Sequence, residues 1–238
     1  MTAFRMFAAL AASALVVSAC SKSDAQLDAQ IHDYILAHPQ VIQQAMAKLQ
    51  AEQDQQAAAQ AKVAIAQNRQ SLEHDPRDFV ANPAGRVTVT EFYDYRCPHC
   101  ITAAPAVLKI IHDHPDVRFV FKEFPIFGDV SERAAAGAIV LKAQGGDVLS
   151  LYGDLMATHP LDDAAIDRVL RAHGVNPDKL NDPTVHAKAE DQILAVRKLA
   201  IDLGIDGTPA FVIGDTIVPG DDTDAVNAAI NQARAHTG

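Results

Sequence analysis

Cys97 and Cys100, separated by Pro98-His99, are the residues of this chain whose types and spacing most directly allow chemistry. Two thiols so placed can close into a disulfide and reopen, and the thiolate is the reacting form. Their setting matters as much as the pair. Just upstream, Val87-Thr88-Val89-Thr90-Glu91-Phe92-Tyr93 is rich in β-branched and aromatic residues and predicts a buried strand. Downstream, Ile101, Ala104, Val107, Leu108 and Ile111 recur at three- and four-residue spacing, the period of a helix. The first thiol therefore falls at a helix N-terminus, where unpaired backbone N–H groups and the positive dipole end favour a thiolate. This is the setting of redox chemistry.

The start of the chain points to a compartment where such chemistry persists. Met1 to Ala19 carries one charge, Arg5, then an apolar run from Met6 to Val17 and small residues, the pattern of a secretory signal peptide. Val17-Ser18-Ala19-Cys20 also has the form of a bacterial lipobox, in which Cys20 is lipidated; plain cleavage after Ala19 would instead leave Cys20 as a free N-terminal thiol. Either way export to the periplasm or cell envelope is expected. Of three cysteines, setting Cys20 aside leaves only the Cys97/Cys100 pair, so no structural disulfide is available. Stability must come from an apolar core, which a chain of 238 residues with 49% hydrophobic content can supply. Removing Arg5 with the signal leaves 19 basic residues against 30 acidic ones, a formal net charge of −11 where the whole chain has −10. That balance argues against nucleic acid as a partner.

The elements that position the thiols divide in two. Residues 20–74 form an expected helical extension. Leu27, Ile31, Tyr34 and Ile35 make an apolar stripe, His38-Pro39 interrupts it, and a second helix runs to about Gln70 with Ile42, Met46, Leu49 and Val63 as its main apolar positions. Its Ala- and Gln-rich second half has high helix propensity but little to bury. Such a helix either packs on its own domain, acts as a spacer from the anchor, or self-associates through residues 31–49. Gln53, Gln56 and Gln60 interrupt any heptad seam. The segment Ser71 to Asp78, with Pro76, is the expected boundary.

Residues 75–238 form the expected catalytic domain. It opens with Phe79-Val80, a turn at Asn82-Pro83-Ala84-Gly85 and the strand into the thiols; Val117 to Phe124 predicts a second central strand. Ser131 reads as a helix cap with Glu132 in the first turn. From about 131 to 203 the pattern is almost entirely helical, broken at Gly145-Gly146, His159-Pro160, Gly174, Pro177 and Pro183. Strand returns at Ala210 to Ile213, turns at Gly214-Asp215, pairs through Thr216 to Val218, and a last helix follows from about Asp222 to Ala235. The class is α/β, a sheet domain with a helical insert.

In this order the parts resemble the DsbA family of thioredoxin-fold disulfide oxidoreductases. Glu91 to Cys100 looks like the family's strand and active-site segment, including an acidic residue six positions before the first cysteine. Gly207-Thr208-Pro209-Ala210-Phe211 looks like its cis-proline loop, and the helical insert lies between the two as in the family; together these cover about residues 79–235. Ile31-His32-Asp33-Tyr34-Ile35-Leu36 with His38-Pro39 resembles the N-terminal extension of the ScsC-type branch, some members of which self-associate and act as isomerases or reductases.

The resemblance implies roles. Cys97 would be the exposed reacting sulfur and Cys100 the resolving thiol, with no cofactor beyond their disulfide. An N–H of His99 facing the sulfur, with the helix start, would lower the Cys97 pKa and make the disulfide a strong oxidant; Pro98-His99 matches the family's oxidising pattern. Thr208-Pro209 would be a cis bond facing the thiols and exposing backbone to a bound polypeptide. Glu91 would be a buried carboxylate relaying the Cys100 proton. Expected partners are exported cysteine-containing proteins, a membrane redox partner and further copies of the chain joined through residues 24–70. The favoured activity is disulfide isomerase or reductase in an oligomer, with a monomeric dithiol oxidase as the alternative. Copper or zinc binding by the same thiols is the competing class, although two cysteines supply only half a structural zinc site. His112 and His114 suit a helix C-terminus; His32, His38, His74, His159, His173, His186 and His236 read as surface residues.

Overall fold

A computed structural model describes residues 23–236 of the chain. The expected signal peptide, lipobox and Cys20, and the side chain of His236, lie outside the described residues. Two compact units divide between Ala57 and Ala58.

The first unit contains helix α1, Ser23–Ala37, and the first part of helix α2, Gln40–Glu73. The break falls at His38-Pro39 as expected, and Tyr34 stacks on His38 with ring centroids 4.5 Å apart. Leu27, Ile31, Tyr34, Leu36, Ile42, Met46 and Leu49 are all exposed.

The second unit is built on a five-stranded sheet in the order β1-β3-β2-β4-β5. The strands are β1 (Phe79–Ala81), β2 (Val87–Tyr93), β3 (Val117–Glu123), β4 (Ala210–Ile213) and β5 (Thr216–Pro219). β2 runs parallel to β3, with Glu91 opposite Phe121 and Tyr93 opposite Glu123; β1, β4 and β5 each run antiparallel to the neighbours they join. Side chains alternate across a strand, and two cores result. Val89, Tyr93, Phe119, Phe121, Phe211 and Ile213 join the core beneath α3 (Pro98–Asp113), α5 (Val148–Ala157) and α8 (Thr223–His236). Phe92, Ala210 and Val212 face the other way, onto Ile65 and Leu72 of α2 and Val196, Leu199 and Leu203 of α7 (Pro183–Leu203). Helices α4 (Asp129–Ala143) and α6 (Asp163–Ala172), with α5, a 3₁₀ turn at Pro177–Asn181 and α7, complete the insert between β3 and β4. The chain is a thioredoxin fold carrying a helical insert.

Three expectations shift. The anticipated boundary at 74/75 lies beyond the point where compact structure begins, because Ile65 and Leu72 in the second half of α2 are 0% and 1% exposed. That Ala-rich half is a layer of the second unit, and the Thr90 hydroxyl and the Lys122 ammonium bond the Leu72 and Ser71 carbonyls at its end. Lys122 also pairs with Asp78, both buried, and burial pushes Asp78 up to about 6 against the pull of that ammonium. Second, Ser131 is no helix cap: α4 begins at Asp129 with Gly128 at the N-cap (φ 85°), and the Ser131 hydroxyl turns inward. Third, His173 is not free at the surface; its side chain is 12% exposed and its Nε2 lies 2.8 Å from Asp154. Glycine is needed at the turn into β2, since a Cβ on Gly85 would sit 2.3 Å from the Arg118 nitrogen.

Candidate active site

Cys97 is the N-cap of α3 and Pro98 its first residue, where a missing N–H costs no helix bond. Both cysteines are free thiols. Cys100 is 0% exposed and Cys97 only 2%. The expected exposed sulfur is therefore covered, because its Sγ donates to the Thr208 carbonyl at 3.1 Å. The Thr208–Pro209 bond is cis, and the buried Thr208 hydroxyl has no hydrogen-bond partner among the described residues. The two sequence motifs thus meet at one sulfur.

The Cys97 thiol is lowered to about 5, first by its hydrogen bond with Cys100 and also by the backbone N–H groups of Cys100 and His99, against the opposing effect of burial. Cys100 is pushed far above the ordinary thiol range, by burial first and then by its bond to Cys97. The two thiols are thus shifted in opposite directions. The N–H of His99 that serves Cys97 is the backbone one. Its imidazole turns to the β5–α8 loop, where Nδ1 lies 3.1 Å from Asp221 Oδ2, and this carboxylate raises the His99 pKa.

Glu91 is 0% exposed on β2. The Tyr152 hydroxyl donates to its Oε1 at 3.3 Å, Oε2 has no partner among the described residues, and burial pushes the carboxyl up to about 8. Its charge is among the influences that raise Cys100. The structure therefore brings Cys97, Pro98, His99, Cys100, Glu91, Thr208 and Pro209 to one end of the sheet. The supposed surface histidines His32, His74, His159 and His186 remain exposed and His38 is half-buried.

Sequence reasoning missed several members. Asp94, 1% exposed, accepts hydrogen bonds from the backbone of Arg96, Ile126 and Phe127 and from the Ser131 hydroxyl. Glu123, 6% exposed, takes the hydroxyls of Tyr93 and Tyr95 and is pushed up to about 8 by burial. An acidic residue inside an apolar strand was the available signal for Glu123; Asp221, far off in sequence, gave none. No cluster of three His, Cys, Asp or Glu able to hold a metal occurs among the described residues.

Comparison with known proteins agrees with this geometry. The profile of the DSBA-like thioredoxin domain matches residues 88–231. The chain belongs to that family. Its DSBA-like thioredoxin domain is preceded by residues 25–59, which match the profile described as the copper resistance protein ScsC N-terminal domain. Similar solved structures include Salmonella enterica Typhimurium BcfH, at TM-score 0.74 and 28% identity over 96% of this chain and 100% of that one. Proteus mirabilis ScsC in a transitional conformation gives 0.67 and 26% over 91% and 99%. A thioredoxin-like oxidoreductase from Silicibacter pomeroyi gives 0.64 and 35% over 71% and 98%. Among curated proteins, the chain is 30% identical over 168 residues to the Na⁺/H⁺ antiporter NhaA 3 of Salinispora tropica, covering 68% of this chain but only 26% of that protein's length. No described helix of this DsbA-like chain is long and apolar enough to cross a membrane.

Proposed function

We propose that this DsbA-like chain exchanges disulfides with exported polypeptides through Cys97 and Cys100, and that it does so in a self-associated form as a disulfide isomerase or reductase. The observation that carries the chemistry is the asymmetric thiol pair, with Cys97 lowered to about 5 and Cys100 driven up at the start of α3. The Cys97 thiolate attacks a substrate disulfide, forming a Cys97–substrate S–S bond while the other substrate sulfur leaves as a thiolate. In isomerisation that thiolate, or another in the same polypeptide, attacks elsewhere and Cys97 is displaced, with no net oxidation. In reduction Cys100 gives its proton to Glu91 and attacks Cys97, and the second substrate thiolate leaves. The Cys97–Cys100 disulfide then needs electrons from a membrane dithiol partner. Thr208 and cis-Pro209 offer the extended backbone on which the polypeptide lies.

Self-association is supported by the exposed Leu27, Ile31, Tyr34, Ile42, Met46 and Leu49 of the first unit and by the N-terminal domain that residues 25–59 match. Apolar surface of this kind is expected to find cover. The monomeric oxidase reading is favoured by Pro98-His99 and by the low Cys97 pKa, which stabilises the reduced form and so makes the disulfide oxidising. Export follows from the Met1–Ala19 pattern, with Cys20 as a lipid anchor holding the protein in the periplasm. Copper or zinc binding is the weaker reading, since the two thiols have no third clustered donor among the described residues.

Light scattering on the chain from residue 23 and on the chain from residue 58, paired with refolding of a scrambled-disulfide substrate, tests this. An oligomer that becomes monomeric and loses reshuffling on truncation supports the isomerase. A monomer in both forms that oxidises but does not reshuffle makes it an oxidase.

A further inference from the structure

At the end of β3 lies a second buried carboxyl, Glu123, that the exchange chemistry just described does not use. Parallel pairing sets Glu91 opposite Phe121 and Tyr93 opposite Glu123, so Glu91 and Glu123 are diagonal neighbours on one face of β2 and β3. With parallel strands about 4.8 Å apart and a rise of about 3.3 Å per residue, neighbours two residues out of register stand roughly 8 Å apart. Both lie within one aromatic box: the Tyr93 ring is 5.2 Å from those of Tyr95 and Tyr152, and Phe121 is 5.1 Å from Tyr152. Tyr152 serves Glu91, while Tyr93 and Tyr95, themselves 3.2 Å apart at their hydroxyls, serve Glu123. Each carboxyl has one buried oxygen without a partner among the described residues, Glu91 Oε2 and Glu123 Oε2. Two carboxyls so enclosed resist carrying charge together.

We propose that Glu123, gripped by Tyr93 and Tyr95, is a positioning residue that forms a coupled carboxyl pair with Glu91 and thereby governs removal of the Cys100 proton when Cys100 closes on a mixed disulfide. The inference rests on the exchange reading above. In that step the Cys100 S–H proton passes to Glu91, the Cys97–Cys100 bond forms and the substrate sulfur leaves as a thiolate. Charge on Glu123 opposes charge on Glu91, so it delays the point at which Glu91 can accept the proton. Nearby groups do not compensate. Asp94 and Asp78 also oppose ionisation of Glu123, and Tyr93, Tyr95 and Tyr152 stay protonated through burial. Of the cations on or facing β3, Arg118 lies opposite Thr88 at the other end of the strand from Glu123, Lys122 is held by Asp78 and Ser71, and Arg197 by Glu132 and the Pro125 carbonyl.

The test is the rate at which a preformed Cys97–glutathione mixed disulfide of the full chain releases glutathione, from pH 5 to pH 9, in the wild type, Glu123→Gln, Glu91→Gln and the double variant. Glu123→Gln should move the midpoint down by about 1.5 pH units, the shift expected of a charge some 8 Å away at an effective dielectric near 20. The double variant should match Glu91→Gln, because Glu123 acts through Glu91. An unchanged midpoint in Glu123→Gln, or a shift that persists without Glu91, overturns the proposal. Should Glu123→Gln not fold, Tyr95→Phe, which removes one donor from Glu123, should shift the midpoint the same way by less, and no shift there overturns it equally. Failure of the wild type to form any Cys97 mixed disulfide would instead overturn the exchange reading itself.

Discussion

The carboxyl of Asp94 accepts the Ser131 hydroxyl at 2.8 Å, fastening the segment that leads into the thiols to the first turn of α4. The same carboxyl takes the backbone N–H groups of Arg96 and Ile126 at 2.7 Å and of Phe127 at 3.0 Å. Ser131→Ala removes one donor and leaves a carboxyl with three others, a loss of about 1–2 kcal/mol. Asp94→Ala strands all four donors and should cost more than about 3 kcal/mol. Urea unfolding of both variants checks the ranking. Equal losses would mean that Asp94 does not organise this loop.

The second half of α2 is expected to behave as core. Ile65→Ala and Leu72→Ala, at positions 0% and 1% exposed, should each destabilise the protein by about 2–5 kcal/mol. Val63→Ala, on the same helix but 56% exposed, should change stability by less than about 0.5 kcal/mol. Denaturant midpoints decide. Near-neutral effects at 65 and 72 would return this stretch to a spacer.

Cys97 should alkylate with iodoacetamide at a midpoint near about 5, well below an ordinary thiol. Because its folded pKa is depressed, the thiolate adds stability to the reduced protein that is complete above the unfolded thiol range. That contribution falls away as pH drops through about 5. Reduced wild type and Cys97→Ser should therefore converge in stability below about pH 5. An alkylation midpoint near about 8.5, the ordinary thiol value, would contradict the account.

Glu91 works in the opposite sense. Its carboxyl is raised to about 8 in the fold, so the native state holds a proton that the unfolded chain releases near about pH 4.3. Stability of the oxidised protein should fall between these limits as pH rises. Glu91→Gln removes one proton from that dependence, and its slope should be shallower by about 1.4 kcal/mol per pH unit. The variant should still form the mixed disulfide but resolve it more slowly. Parallel stability curves for the two proteins, with unchanged resolution, would remove Glu91 from the mechanism.

The sheet strands, the thiol pair, the cis-proline loop and buried Glu91 were legible because each is carried by local pattern: β-branched runs, a Cys-x-x-Cys at a strand-to-helix junction, an acid in a strand. What escaped depends on contacts far apart in sequence. Asp221 reaches His99 across 122 positions and Lys122 reaches Asp78 across 44. Ser131 looked like a cap because caps and buried hydroxyls share a residue type, and only Asp94 settles the difference. The low hydrophobicity of the second half of α2 concealed that Ile65 and Leu72 lie on one face and suffice to seat it against the sheet.

The most direct test of the central claim is an intact-mass measurement on Cys100→Ser after mixing with a disulfide-bonded substrate peptide. The account predicts one stable adduct, joined through Cys97 and released by reductant, and none with Cys97→Ser. Adduct formation that survives loss of Cys97, or no adduct with Cys97 intact, would contradict it.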